Sequence, residues 1–190
     1  MRIVTKQEFL MNKQEFFEKI VNGAVFVYPT DTIYGLGCNA QIAESVKKIR
    51  ELKQRPDQPF SVIVPDKEWI YDNCDIGSEG PAHIEKLPGP YTLIFRLLNK
   101  DAVAKEVIPD VENIGVRIPD HWFTKISTML DLPIVTTSAN VSGDNYMTSI
   151  DDLDDRIKNH VDFIIYEEEK HGRPSEVVNL AGQEVEILRK

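Results

Sequence analysis

The sequence predicts an α/β protein built on an open, twisted sheet of mixed parallel and antiparallel strands flanked by helices. Three observations carry that reading. Short apolar runs rich in β-branched and aromatic residues, such as AVFVY at 24–28, FSVIVP at 60–65 and DFIIY at 162–166, have the length of buried strands. Helical periodicity separates some of these runs and Gly/Pro turns separate others, so no strict βαβ rhythm forces the strands to run parallel. A length of 190 residues with 42% hydrophobic content suits one domain over 1–190 with a core of its own.

Thr5 and Glu8 have capping-box spacing, and Phe9, Phe16, Phe17 and Ile20 form an apolar stripe ending at Gly23; together they predict a helix over 6–21. A strand over 24–28 ends at Pro29, which has no N–H for a ladder. YPTDTIYGLG (28–37) then reads as a polar binding loop whose glycines let the backbone pass close to a ligand. The next helix, over 41–53, turns Ile42, Val46 and Ile49 inward, and Lys53 continues that stripe, aimed past the core edge. After the strand at 60–65 come helical pieces near 67–73 and 79–87, then a strand at 91–98 fed by the PGP turn. NIGVRIP (113–119) is a strand closed by Pro119, and a helix over 120–131 puts Trp122, Ile126, Met129 and Leu130 inside. LPIVT (132–136) is a short strand with TSANVSG (137–143) as its polar outlet, an acidic helix spans 149–160, and DFIIY, VVNL and VEILR are the closing strands.

A net charge of −9 opposes a surface devoted to nucleic acid or acidic lipid. Lys47, Lys48, Arg50, Lys53 and Arg55 nevertheless cluster, with Glu51 the only acid among them, and such a patch suits a small polyanion. Cys38 and Cys74 are too far apart for a zinc knuckle and too few for a disulfide framework, and the histidines at 83, 121, 160 and 171 have no metal-ligand spacing, so no protein-built metal site is expected. The N-terminus lacks a signal-peptide layout and no apolar run is long enough for a membrane span, which makes a cytoplasmic protein the expectation. Neither a GxxxxGK[ST] loop nor a complete dinucleotide fingerprint is present. The polar outlets PTDTIYGLG, KQRP and TSANVSG follow strands or helices and converge where α/β proteins place ligands, with hydroxyls, amides and cations suited to an anion.

Six segments, YPTDTIYGLG, the KQRP stretch, PGPYT, GVRIP, TSANVSG and RPSEVVNL, stand in the order and approximate spacing of the YrdC-like family, whose best-known members are L-threonylcarbamoyladenylate synthases. The resemblance covers the chain from about residue 5 to its end. It implies the YrdC-like fold with a deep basic cleft, and a nucleotidyltransferase that joins L-threonine, bicarbonate and ATP into threonylcarbamoyl-AMP and pyrophosphate. That product serves modification of adenosine 37 in tRNAs reading codons that begin with A, through downstream threonylcarbamoyl-transfer proteins and with tRNA or RNA as a possible partner; a monomer without membrane association is expected.

By the same resemblance the KxR and SxN signatures fall on Lys53, Arg55, Ser138 and Asn140, the implied catalytic set. The implied ATP site adds Gln58, Asn113, Ala139 and Arg189, with Mg2+ held mainly by the nucleotide phosphates. The implied L-threonine site is Thr32, Arg117, Thr137 and Ser175. Lysine offers a point charge, arginine a fork for phosphate or carboxylate oxygens, and the hydroxyls neutral donors. On residue chemistry alone, Arg117 equally suits an ordinary ion pair and the threonines equally suit turn capping. The segment RPDQPFS is one residue shorter than common family versions, Glu176 and Asn179 stand where many relatives carry Thr and Asp, and the second domain of longer members is not expected. Two other readings stay open: a carbamoyltransferase of the same fold acting on another carbamoyl species, and an RNA-binding module without catalysis, which the acidic balance opposes.

Overall fold

The computed structural model describes residues 1–182 and 184–190. Strand β1 (Arg2–Val4) leads into α1 (Lys6–Met11), whose capping box is formed as the sequence predicts, with the Thr5 hydroxyl accepting from the Glu8 amide and the Glu8 carboxylate accepting from the Thr5 amide. The helix expected over 6–21 is broken at Asn12, where the side-chain amide donates to the Glu8 carbonyl at 2.8 Å and competes for the helical acceptor. A second helix, α2 (Lys13–Val21), follows.

Next come β2 (Phe26–Tyr28), β3 (Gly35–Gly37), α3 (Ala43–Lys53), β4 (Ser61–Ile63), α4 (Lys67–Asn73), β5 (Cys74–Asp75), α5 (Gly80–Ile84) and β6 (Tyr91–Leu97). A 3-10 turn at Lys105–Val107 precedes β7 (Asn113–Arg117), α6 (Thr124–Leu130), β8 (Ile134–Ser138), α7 (Asp155–Lys158), β9 (Phe163–Ile165), β10 (Glu176–Asn179) and β11 (Glu186–Arg189). Along the sheet the order is β1-β9-β2-β3-β8-β4-β7-β6-β10-β11, with β5 paired to β6. Pairing is parallel for β1/β9, β9/β2, β4/β7 and β6/β10 and antiparallel elsewhere, the mixed sheet expected of a chain without a βαβ rhythm.

Two departures stand out. The helix expected over 149–160 survives only as α7, because the Asp152 carboxylate accepts from the Thr148 and Ser149 amides and holds a turn there, and the helix starts only where Asp154 caps it by accepting from the Arg156 amide. Met129, expected inside, is 53% exposed, while Ile126 of the same helix is fully buried.

One core layer is aromatic: Phe9, Phe16, Phe26, Phe123 and Phe163 pack with Tyr28 between the helices α1, α2 and α6 and the sheet, Phe26 and Phe163 stacking at 5.0 Å. GLG, read from sequence as loop, is strand β3 in the middle of the sheet, and its glycines serve packing. A Cβ on Gly35 comes within 2.8 Å of the Tyr28 ring, and one on Gly37 meets the Val135 carbonyl at 2.5 Å. Gly37→Ala is therefore expected to destabilise the fold by about 1–3 kcal/mol through overpacking against backbone that cannot withdraw, read as a lower urea midpoint with an unchanged m-value.

Candidate functional site

The site begins as a property of strand alternation. Registered neighbours Ile94, Gly115, Ser61 and Thr136 form one cross-strand row over β6, β7, β4 and β8. All four line a cavity of ≈ 330 Å³. The residues between them, Leu93, Val116, Val62 and Val135, point the other way into a fully buried core. Two positions from Ser61 and Thr136, the same face carries Ile63 and Ile134 in the aromatic layer. Replacing large apolar side chains by Ser, Gly and Thr partway along these strands leaves the layer unfilled there, and the unfilled part is the cavity.

Three guanidiniums border it, from Arg55, Arg117 and Arg189, and no carboxylate lies among the described lining residues. Arg117 sits two residues after Gly115 on the same face of β7, buried to 7% exposure. Its Nη2 donates to Asp31 Oδ1 at 3.1 Å and to Thr32 Oγ1 at 3.3 Å, and its Nε has no partner among the described residues. The Asp120 amide donates to the other Asp31 oxygen at 3.1 Å. PTDT is thus a turn whose Thr30 hydroxyl donates to the Ile33 carbonyl at 2.7 Å, leaving Asp31 and Thr32 to hold the arginine.

Across the cavity, Arg189 Nε donates to the Ser175 carbonyl at 2.9 Å and Nη2 to the Ser175 hydroxyl at 3.2 Å, while that hydroxyl also shares a 2.7 Å hydrogen bond with Thr92. These bonds to Ser175 hold Arg189 in the wall.

Lys53 is 1% exposed at the end of α3, so the stripe did carry it past the core edge and into the protein. Its Nζ donates to the carbonyls of Ser138 and Asn140, each at 2.7 Å, and to Asn140 Oδ1 at 3.2 Å. The Ser142 amide returns a hydrogen bond to the Lys53 carbonyl at 3.0 Å, and the Ser138 hydroxyl donates to Asn140 Oδ1. The ammonium thus lies behind the cavity as the clamp of the Ser-Ala-Asn turn. Burial, with the Arg55 charge adding to it, pushes Lys53 down to about 7, while three acceptors around one nitrogen favour the ammonium form, which alone has three hydrogens to give.

Of the residues singled out from sequence, Arg55, Arg117, Thr137, Ser138, Ser175 and Arg189 line this cavity. Thr32 borders an adjoining cleft with Asp31, Tyr91 and Arg173. Lys53, Ala139 and Asn140 build the turn behind Ser138. Gln58 and Asn113 are exposed and lie off the cavity: Gln58 gives only its carbonyl, to Arg50, and Asn113 pairs with Arg96 at the far end of β7.

The basic cluster needs correction as a patch. Successive helix residues turn by about 100°, so Lys47 pairs with Glu44 at 2.6 Å and Lys48 with Asp162 at 3.5 Å on the surface, and Arg50 is buried against backbone carbonyls. Only Arg55 of the five reaches the cavity. Ser61, Thr92 and Thr136 were missed as lining residues; a period-two reading that noticed hydroxyls replacing Ile and Val on one strand face finds all three.

Comparison with known proteins follows this geometry. The family model Sua5/yciO/yrdC, described as "Telomere recombination", matches residues 18–190. A protein of Methanocaldococcus jannaschii is 33% identical over 183 residues, covering 93% of this chain and 84% of its own. The threonylcarbamoyl-AMP synthase of Vibrio vulnificus is 27% identical over 175 residues, covering 87% of this chain and 92% of that one. The crystal structure of P. abyssi Sua5 complexed with L-threonine superposes with a TM-score of 0.86 at 27% identity, over 99% of this chain and 56% of that longer one. E. coli YciO, with a TM-score of 0.85 at 22% identity over 100% of this chain and 94% of its own, shares the fold. With the family model covering all but the first helical segments, and a relative of this identity matched over most of both chains, the protein belongs to the Sua5/YciO/YrdC family.

Proposed function

We propose that the chain is a threonylcarbamoyl-AMP synthase, a nucleotidyltransferase that forms threonylcarbamoyl-adenylate and pyrophosphate from L-threonine, bicarbonate and ATP. The observation that carries the reading is the cavity's charge: three guanidiniums converge on a hydroxyl-lined space with no carboxylate among its described lining residues, in a chain whose relatives bear that activity in their names. Such a donor set suits a polyphosphate beside a small zwitterion.

In this reading Arg55, Arg189 and Ser138 bind the nucleotide, and Lys53 and Asn140 keep the Ser138 turn in register. Arg117 meets the threonine carboxylate, and Thr32, Thr137 and Ser175 surround its side chain. Among the described residues no group of three or more His, Cys, Asp or Glu is arranged to hold a metal ion, so Mg2+ is assigned to the phosphates it arrives with. The free threonine amine condenses with bicarbonate to give a carbamate, and water leaves. A carbamate oxygen then attacks the α-phosphorus as the bond to pyrophosphate breaks. The protein aligns the two and neutralises charge building on the phosphates. The product is an activated donor for tRNA modification, handed to threonylcarbamoyl-transfer proteins.

The test is pyrophosphate release from ATP by the purified chain with Mg2+ and bicarbonate, with and without L-threonine and with serine as control. Threonine-dependent release is the expected result; none from a folded protein sinks the reading.

A further inference from the structure

We infer that Arg50 is a positioning residue for the nucleotide, because it gathers the loop that carries Arg55 to the cavity; the inference rests on the proposed use of that cavity for ATP. Arg50 lies one turn before Lys53 on α3 and is 8% exposed. It is not itself among the residues lining the cavity and makes no ion pair within 4.0 Å among the described residues. Its guanidinium instead donates only to backbone carbonyls. Nη1 donates to Arg55 at 3.0 Å, Pro56 at 2.9 Å and Gln58 at 3.0 Å, Nε to Glu106 at 2.8 Å and Nη2 to Val107 at 3.3 Å.

This geometry does what a lysine at the same place does not. A planar fork reaches two separate loops at once, 55–58 on one side and 106–107 on the other, whereas an ammonium is a single point with three hydrogens. The loop needs such help. It leaves α3 through Gln54, a non-glycine residue with φ 51°, and contains Pro56 and Pro59, which have no N–H. Phe60 completes the unit: its amide donates to the Val107 carbonyl at 2.9 Å, and its ring has the Arg50 guanidinium 4.5 Å from its centroid and that of Arg55 at 5.3 Å. Among the described residues the Arg55 guanidinium makes one hydrogen bond, from Nη2 to the Pro59 carbonyl at 2.9 Å, and its Nε has no partner, so the course of the loop decides where its remaining donors point.

Stability alone explains the arrangement poorly. Burial disfavours the Arg50 charge and the neighbouring Arg55 charge adds to it, with Asp57 and Glu106 offsetting part of the cost, so the net direction is still against the cation. A neutral residue avoids both costs, so the return on the buried cation lies in the loop it shapes.

The experiment compares the full chain with Arg50→Met and Arg50→Lys, measuring KM for ATP and for L-threonine, kcat, and Mg·ATP binding by calorimetry, with urea unfolding to verify the fold. Loss of charged hydrogen bonds that set Arg55 is expected to raise KM and Kd for ATP about tenfold or more in Arg50→Met, with KM for threonine within about twofold of wild type. Arg50→Lys, which keeps the charge and loses the fork, is expected to recover less than half of the loss. Unchanged ATP affinity in either folded variant overturns the inference, as does an equal rise in both KM values, the mark of general loosening. Should wild type bind Mg·ATP without threonine-dependent turnover, the proposed activity fails while the Kd comparison still decides the role of Arg50. A wild type that neither binds nor turns over ATP overturns both.

Discussion

Lys53→Met is expected to lower threonine-dependent pyrophosphate release by about 10²-fold, the scale on which misplacing a positioned group from behind the site costs an enzyme. The side chain holds Ser138 and Asn140 through three hydrogen bonds, two of them at 2.7 Å, and methionine replaces its stem without its hydrogens. Among the described residues the Asn140 carbonyl loses its donor, while the Ser138 carbonyl keeps the Asn140 amide and Asn140 Oδ1 keeps the Ser138 hydroxyl, so about 1–3 kcal/mol of stability goes with the one acceptor left dry. The pH dependence separates the charge from the packing. In the folded chain Lys53 sits at about 7 against the ordinary 10.5 of the unfolded chain, so between those values the unfolded state holds the extra proton and unfolding free energy rises with pH. This contribution is complete above 10.5 and is lost as pH falls through 7. The variant lacks that slope. Phosphates arriving beside Ser138 favour the ammonium, so nucleotide binding near pH 8 is expected to take up protons in wild type and not in Lys53→Met. Calorimetry in two buffers of different ionisation enthalpy reads the difference, and equal proton uptake by both proteins counts against the clamp.

Arg117→Met is expected to destabilise the chain by about 3–5 kcal/mol and to abolish saturation by threonine. Arg117 and Asp31 form a buried pair at 3.1 Å with side chains 9% and 11% exposed, and without the arginine the Asp31 carboxylate keeps only the Asp120 amide. The cost is that of stranding a charge. Adding Asp31→Asn to Arg117→Met is therefore expected to return part of the stability, seen in the urea midpoint, and none of the threonine response, seen in the KM for threonine. That split tests the two roles separately. Recovery of threonine saturation in the double variant excludes Arg117 from the substrate, and no recovery of stability makes the ion pair incidental to the fold.

How much of this was legible in the chain depends on the range of the interactions. The capping box at Thr5 and Glu8, the inward stripe of α3 and the strands at 60–65, 91–98 and 113–119 rest on neighbours within a few residues, and the structure keeps them. The break at Asn12 and the shortened α7 are local too, but they turn on side chains outbidding the helix for backbone partners, which periodicity does not register. GLG looked like a loop because glycine disfavours strands by propensity; it is strand β3 because the Tyr28 ring occupies the space where side chains would stand.

The sequence by itself determined the α/β class, most of the elements, the family motifs and the alignment of Lys53 with the core stripe, since each follows from residue order and period. Only the tertiary structure decided which charges act together. Arg55, Arg117 and Arg189 come from distant parts of the chain and meet at one cavity, while Lys47, Lys48 and Arg50, adjacent in sequence to Arg55, turn away to surface acids and backbone carbonyls. Helix rotation disperses charges that are neighbours along the chain, and strand register collects ones that are not.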